Sequence, residues 1–220
     1  MENPKTQNHE DKITENKTNQ KQEKNEDIIR VFLDVETDGI GFFSPPTQKL
    51  LQLAYMITKN EEVVKKRSTF SNEVAKLSPT HPNPSLLEMS KKSTLTCLEI
   101  VLELFNHLTN NYSKQKVSII SHNIHFDIGI LLNELKKGKQ DFQIPNNWFF
   151  LCTMRNSTNY CKLAKTGKSA KYSGYKYPKM SELASKLDLE FNETKLHDAQ
   201  YDVEILEKCY NKGKKENLWM

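Results

Sequence analysis

The stretch FLDVETDGI, residues 32–40, closes a run otherwise built for burial: Ile28, Ile29, Val31, Phe32, Leu33 and Val35 read as a strand threading a core. Two carboxylates, Asp34 and Glu36, enter that strand, and Thr37, Asp38 and Gly39 then stop it. Residues i and i+2 of a strand point the same way, so the two acids share a face. Burying an ionised carboxylate without a partner is costly, so something is expected to neutralise the pair. Alone, an Asp-x-Glu at a strand end is a weak signal, because most such pairs simply meet solvent.

Outward from this strand, LLQLAYMIT (50–58) and EVVKKRSTFS (62–71) flank a short polar turn and predict a hairpin. A Pro- and Ser-rich loop runs from Ser78 to Ser85. Thr96 and Glu99 then form a capping-box pattern ahead of a helix whose apolar face holds Leu98, Val101, Leu102, Phe105 and Leu108. VSIISH (117–122) predicts a fourth strand, with a helix behind it carrying Phe126, Ile130, Leu131 and Leu135. WFFLCTM (148–154) predicts a fifth strand. Helices are expected through Met180, Leu183, Ala184 and Leu187, and through Ala199, Val203, Leu206 and Tyr210. Three early strands followed by alternating helix and strand indicate an α/β domain with a mixed sheet, whose ligand sites lie outside the strand ends.

At 220 residues, 27% charged and 36% hydrophobic, the chain suits one well-cored soluble domain plus a tail. Residues 1–27 have Met1 and Ile13 as their only large apolar side chains and predict a disordered polar tail, leaving 28–220 as the folded domain. That tail carries five lysines against seven acids, a net −2, so residues 28–220 carry +6. No stretch is apolar enough for a membrane span or a secretory signal. Cys97, Cys152, Cys161 and Cys209 have no paired spacing and are expected as reduced thiols, which implies an intracellular protein.

Two further segments carry chemistry. SHNIHFDIGILL (121–132) puts Asp127 in the first turn of a helix just past a strand end; KLHDAQYDVEIL (195–206) puts His197 before the last helix, Asp202 inside it and Asp198 at its N-cap. The three segments together resemble the DEDDh family of 3′-to-5′ exonucleases, which includes the proofreading epsilon subunit of bacterial DNA polymerase III, ribonuclease T and oligoribonuclease. Asp34, Glu36, Thr37 and Gly39 match the family's first motif; His122, Asn123, Phe126 and Asp127 the second; His197, Ala199 and Asp202 the third. The resemblance covers roughly residues 28–212.

It implies a ribonuclease-H-like fold, a five-stranded mixed sheet flanked by helices. The implied reaction is hydrolysis of the terminal phosphodiester at a 3′ end, DNA favoured, releasing nucleoside 5′-monophosphates. Asp34, Glu36, Asp127 and Asp202 are then metal ligands for two Mg²⁺ or Mn²⁺ ions, Asp34 bridging both, Glu36 and Asp202 on the ion that activates water, and Asp127 on the other. Such cations would neutralise carboxylates that otherwise repel by about 4 kcal/mol per pair at 4 Å near a protein surface, and all-oxygen donors favour these metals over zinc. His197 is the implied general base. Thr37, Gly39, His122, Asn123 and Phe126 are implied substrate contacts, Gly39 because its lack of bulk would let backbone approach the terminal nucleotide.

Between Phe142 and Ser181 there is no acid, but seven lysines and arginines interleave with Tyr160, Tyr172, Tyr175 and Tyr177. Cations for phosphates and rings for bases suit single-stranded nucleic acid, with Lys165, Lys168 and Lys171 as contacts; a solvated basic surface is the alternative. Single strands or frayed 3′ ends are the expected partner, together with a polymerase or another replication or repair protein. An exoribonuclease of the ribonuclease T or oligoribonuclease kind, a non-catalytic nucleic-acid-binding module and a polymerase accessory subunit remain open at this point.

Overall fold

The computed structural model describes residues 28–39 and 48–219; the tail expected at 1–27 lies outside them. The sheet comprises β1 (Ile28–Thr37), β2 (Leu50–Lys59), β3 (Glu62–Phe70), β4 (Lys116–Ser121) and β5 (Trp148–Cys152), in the order β3-β2-β1-β4-β5. The β1–β2–β3 meander is antiparallel; β4 and β5 join parallel to β1. This is the five-stranded mixed sheet expected, with β1 at its centre.

Alternation along β1 sorts the core into two layers. Ile29, Val31, Leu33 and Val35 pack with α2 (Cys97–Asn111) and α3 (Ile124–Lys137). Phe32, with Ala54 and Met56 of β2, packs against α7 (Ala199–Lys215) through Ala199, Val203, Leu206 and Tyr210. Asp34 and Glu36 have the parity of Phe32, so the sheet itself turns them toward α7. Thr96 caps α2 with the reciprocal Glu99 bond the sequence pattern predicts, and Asp198 caps α7 by accepting from the Gln200 amide.

Three departures have local causes. β5 is two residues shorter than predicted, because Thr153 opens α4 (Thr153–Asn156) and its carbonyl accepts from both the amide and the hydroxyl of Ser157. The unpredicted α1 (Leu86–Lys92) follows the Pro-rich loop and buries Leu86 against Leu51 and Val74. Short α5 (Thr158–Cys161) precedes the basic segment, which has one 3₁₀ turn at Gly167–Ser169 before α6 (Met180–Lys186). Trp219 stacks on Tyr210 with ring centroids 5.9 Å apart and so packs against the domain. All four cysteines are free and buried. Among the described residues, no helix is long and apolar enough to cross a membrane.

Candidate active site

β1 outruns its parallel neighbour: pairing with β4 ends at Phe32 and Ile120, which leaves the Val35 amide without a strand partner on that side. Asp127, in the first turn of α3, supplies one, accepting from the Val35 N–H at 3.2 Å through Oδ1 and from the Ser121 hydroxyl at 2.5 Å through Oδ2. The second acid motif is thereby fastened to backbone lying between the two acids of the first.

From the other side, α7 brings in Asp202. Its Oδ2 accepts from the His197 amide at 2.9 Å, while Oδ1 is buried with no hydrogen-bond partner among the described residues. That bond folds the segment before α7 back on itself and holds His197 at φ +65°, a left-handed conformation unusual for a non-glycine residue. The His197 carbonyl accepts from the Asn83 side chain at 3.2 Å, and its imidazole is left exposed. Ligand atoms of Glu36, His197 and Asp202 lie within 4.8 Å of one another.

The acids hold their protons tightly. Burial, then the charges of Asp127, Asp202, Glu36 and Asp198, push Asp34 well above the usual carboxylate range. Burial followed by Asp202, Asp127 and Asp198 raises Glu36 to about 8. Burial lifts Asp127 to about 7 against the opposing bonds from Ser121 and Val35, and Asp202 to about 7 against the His197 amide. His197 moves the other way, lowered by burial and by the neighbouring His81 and Lys179. Four oxygen-donor side chains that destabilise one another's charge, one with a bare buried oxygen, fit a hard divalent cation.

The expected substrate contacts divide. His122 is tied within the protein: its Nε2 donates to the Pro178 carbonyl at 3.0 Å and its Nδ1 lies 3.0 Å from the Thr153 hydroxyl. Burial depresses it to about 4, and it serves as a neutral tie between α4 and the segment before α6. The Thr37 hydroxyl donates to the Gly39 carbonyl at 2.7 Å, closing the turn. At Gly39, a Cβ would meet Ser78 Cβ at 3.2 Å, so the Pro-rich loop occupies the space that its missing side chain opens. Phe126 is partly buried against the main core, while Asn123 is exposed at the start of α3. Lys165 donates to the Ser173 carbonyl, Lys171 sits 5.2 Å over the Tyr172 ring, and Lys168 is exposed in the 3₁₀ turn.

None of these three lysines lines the cavity of about 390 Å³ beside His197 and Asp202; Lys179, Met180, Leu196, Thr80 and Pro82 do. Sequence reasoning also missed His81, whose Nε2 donates to the Thr37 carbonyl at 3.1 Å while Nδ1 accepts from the Asn83 amide. The loop Ser78–Ser85 thus straps the end of β1 to the His197 segment, and nothing periodic in PTHPNPS announces that.

A central strand that delivers two acids to its open end, met there by an acid from each flanking helix layer and an exposed histidine, defines a nuclease of ribonuclease-H-like architecture. Residues 31–210 match the RNase T exonuclease family, and the chain belongs to that family. It is 26% identical over 183 residues to the 3′-5′ exonuclease DinG of Bacillus subtilis (strain 168), an alignment covering 80% of this chain and 16% of that protein. Among solved structures, E. coli Exonuclease I in complex with a dT13 oligonucleotide superposes with a TM-score of 0.59 at 14% identity, over 88% of this chain and 42% of that one. The nuclease domain of 3′hExo, a DEDDh family member bound to rAMP, gives 0.60 at 10% identity, over 86% and 93%.

Proposed function

We propose that this chain hydrolyses the terminal phosphodiester at DNA 3′ ends and releases nucleoside 5′-monophosphates. The observation that carries this reading is the convergence of Asp34, Glu36, Asp127 and Asp202 beside His197, with Asp202 Oδ1 bare and buried. Asp34, Glu36 and Asp202 would hold one Mg²⁺ or Mn²⁺ and Asp34 with Asp127 a second. Such a pair, when bound, supplies activation of a water and neutralisation of charge at the cleaved phosphate.

The protein's own contribution is placement and proton transfer. His197, its basicity lowered by burial, His81 and Lys179, stands neutral near pH 7 and accepts the proton of the attacking water on its exposed ring. The Asp202 and Asn83 bonds to its backbone hold the ring over the acids. The neighbouring cavity receives the terminal nucleotide, with Met180, Leu196 and Pro82 against apolar surface and Lys179 toward phosphate. DNA is favoured because Exonuclease I, a structural relative, carries a dT13 oligonucleotide. A second reading, RNA trimming, rests on the rAMP bound to 3′hExo, whose nuclease domain this chain matches nearly end to end.

The test is direct: incubate the protein with matched 5′-labelled DNA and RNA oligonucleotides in Mg²⁺ or EDTA. Stepwise shortening from the 3′ end that requires the metal is expected, faster on DNA. Shortening from the 5′ end, or full activity in EDTA, overturns the proposal; faster RNA cleavage selects the second reading.

A further inference from the structure

β2 reads LLQLAYMI, and its one polar residue before Thr58, Gln52, is 1% exposed. A buried primary amide is tolerated where its atoms find partners, and those of Gln52 reach outside the strand. Nε2 donates to Asp198 Oδ1 at 2.8 Å and to the Ser68 hydroxyl at 3.0 Å; Oε1 accepts from the Ala199 amide at 3.1 Å. The orientation is unambiguous, since the Ala199 N–H needs an acceptor and the carboxylate needs a donor. Ala199 opens α7 and Asp198 is its N-cap, so one side chain grips both backbone and side chain of that helix start.

Gln52 lies directly opposite Glu36 in the β1–β2 register. Asp198 directly follows His197 in the chain, and Asp202 lies one turn further along α7. The geometry points to Gln52 as a positioning residue for the reaction: through Asp198 and Ala199 it holds His197 and Asp202 in register with Asp34 and Glu36. Without it, the first turn of α7 keeps only the apolar contacts of Ala199 and Val203 to the sheet, the other polar ties, Lys66 to Glu204 and Arg30 to Tyr210, lying further along the helix. Apolar contacts resist separation but permit small sliding, and near-ångström displacement of a catalytic group is costly to rate.

This inference rests on the proposed exonuclease reading for its kinetic consequence, but not for its physical one. Two variants test it: Gln52→Met, which keeps length and loses every bond, and Gln52→Glu, which keeps shape and the acceptor for Ala199 but sets a carboxylate against Asp198. Each is followed by thermal melt, amide exchange at Ala199, Mn²⁺ calorimetry, and kcat and KM on a labelled oligonucleotide. In folded Gln52→Met, exchange at Ala199 quickens, Mn²⁺ binds more weakly, and kcat drops roughly 10²-fold with KM within about twofold of wild type. If Gln52→Met melts below the assay temperature, Gln52→Glu carries the test through Mn²⁺ affinity and kcat, which change in the same direction. A folded variant with unchanged kcat and Mn²⁺ affinity, or a loss confined to KM, overturns the role. Should wild type not cleave at all, the proposed function falls, while Mn²⁺ affinity and Ala199 exchange still decide the part played by Gln52.

Discussion

Asp202 reaches the site with one oxygen on the His197 amide and the other bare, while His197 presents its ring and spends only its backbone on the protein. The two residues therefore do different work. His197→Ala should lower turnover by about 10²–10⁴-fold while leaving Mn²⁺ binding nearly intact, because the backbone bonds that hold Asp202 survive the substitution. Calorimetric Mn²⁺ titration checks this; loss of a bound ion would make the imidazole a ligand. Asp34→Asn should abolish cleavage yet melt at or above wild type in EDTA, since Asp127, Asp202 and Glu36 all disfavour its charge. In Mg²⁺ the order should reverse, as a ligand stabilises only the protein able to bind it. Paired melts settle both halves, and a variant melting well below wild type in EDTA would make Asp34 a structural acceptor.

At the scale of elements, the segment between α5 and α6, residues 162–179, carries six lysines and no acid. Lys165 and Lys171 are each engaged within it, by the Ser173 carbonyl and the Tyr172 ring, while Tyr172, Tyr175 and Tyr177 stay exposed. Replacing Lys165, Lys168 and Lys171 together by alanine should weaken single-strand binding and reduce the slope of log affinity against log salt by roughly 0.7 for each phosphate no longer neutralised. An unchanged slope would leave this segment a solvated surface. Lys179→Ala removes a cavity-lining charge instead, and should raise KM for short oligonucleotides, where each phosphate held is a large share of the total; an unchanged KM would remove Lys179 from the substrate path.

For the whole molecule, the clustered acids make stability depend on pH and metal together. Glu36 at about 8, and Asp127 and Asp202 at about 7, lie above their unfolded values of 4.5 and 3.8, so the folded state binds protons more tightly than the unfolded one. Their contribution is fully present below the unfolded values and is lost as pH rises through 7 and 8. In EDTA the melting temperature should therefore fall between about pH 4 and pH 8, and saturating Mg²⁺ should flatten that fall by taking the place of the protons. A metal-free melting temperature that climbs across this window would contradict the acid cluster as drawn.

How much of this was legible in the chain itself follows from the range of the forces involved. The strand at 28–37, the capping box at Thr96 and the N-cap at Asp198 are local, so alternation, spacing and capping chemistry announce them. The three ordered motifs likewise marked Asp34, Glu36, Asp127, His197 and Asp202 as a set. What no spacing could say is where long-range partners lie. Asp127 finds the Val35 amide because β1 outruns β4; His122 is bonded to Pro178 and Thr153; Lys179 lines the cavity while Lys165 closes its own loop. Gln52 is a lone amide in an apolar strand, but its partners at the start of α7 are 146 and 147 residues away. A buried hydrogen bond draws its value from a partner that only the folded chain brings within 3 Å, and so the sequence determined the strands and the chemistry, while tertiary structure alone decided which polar groups hold the site and which remain free to act.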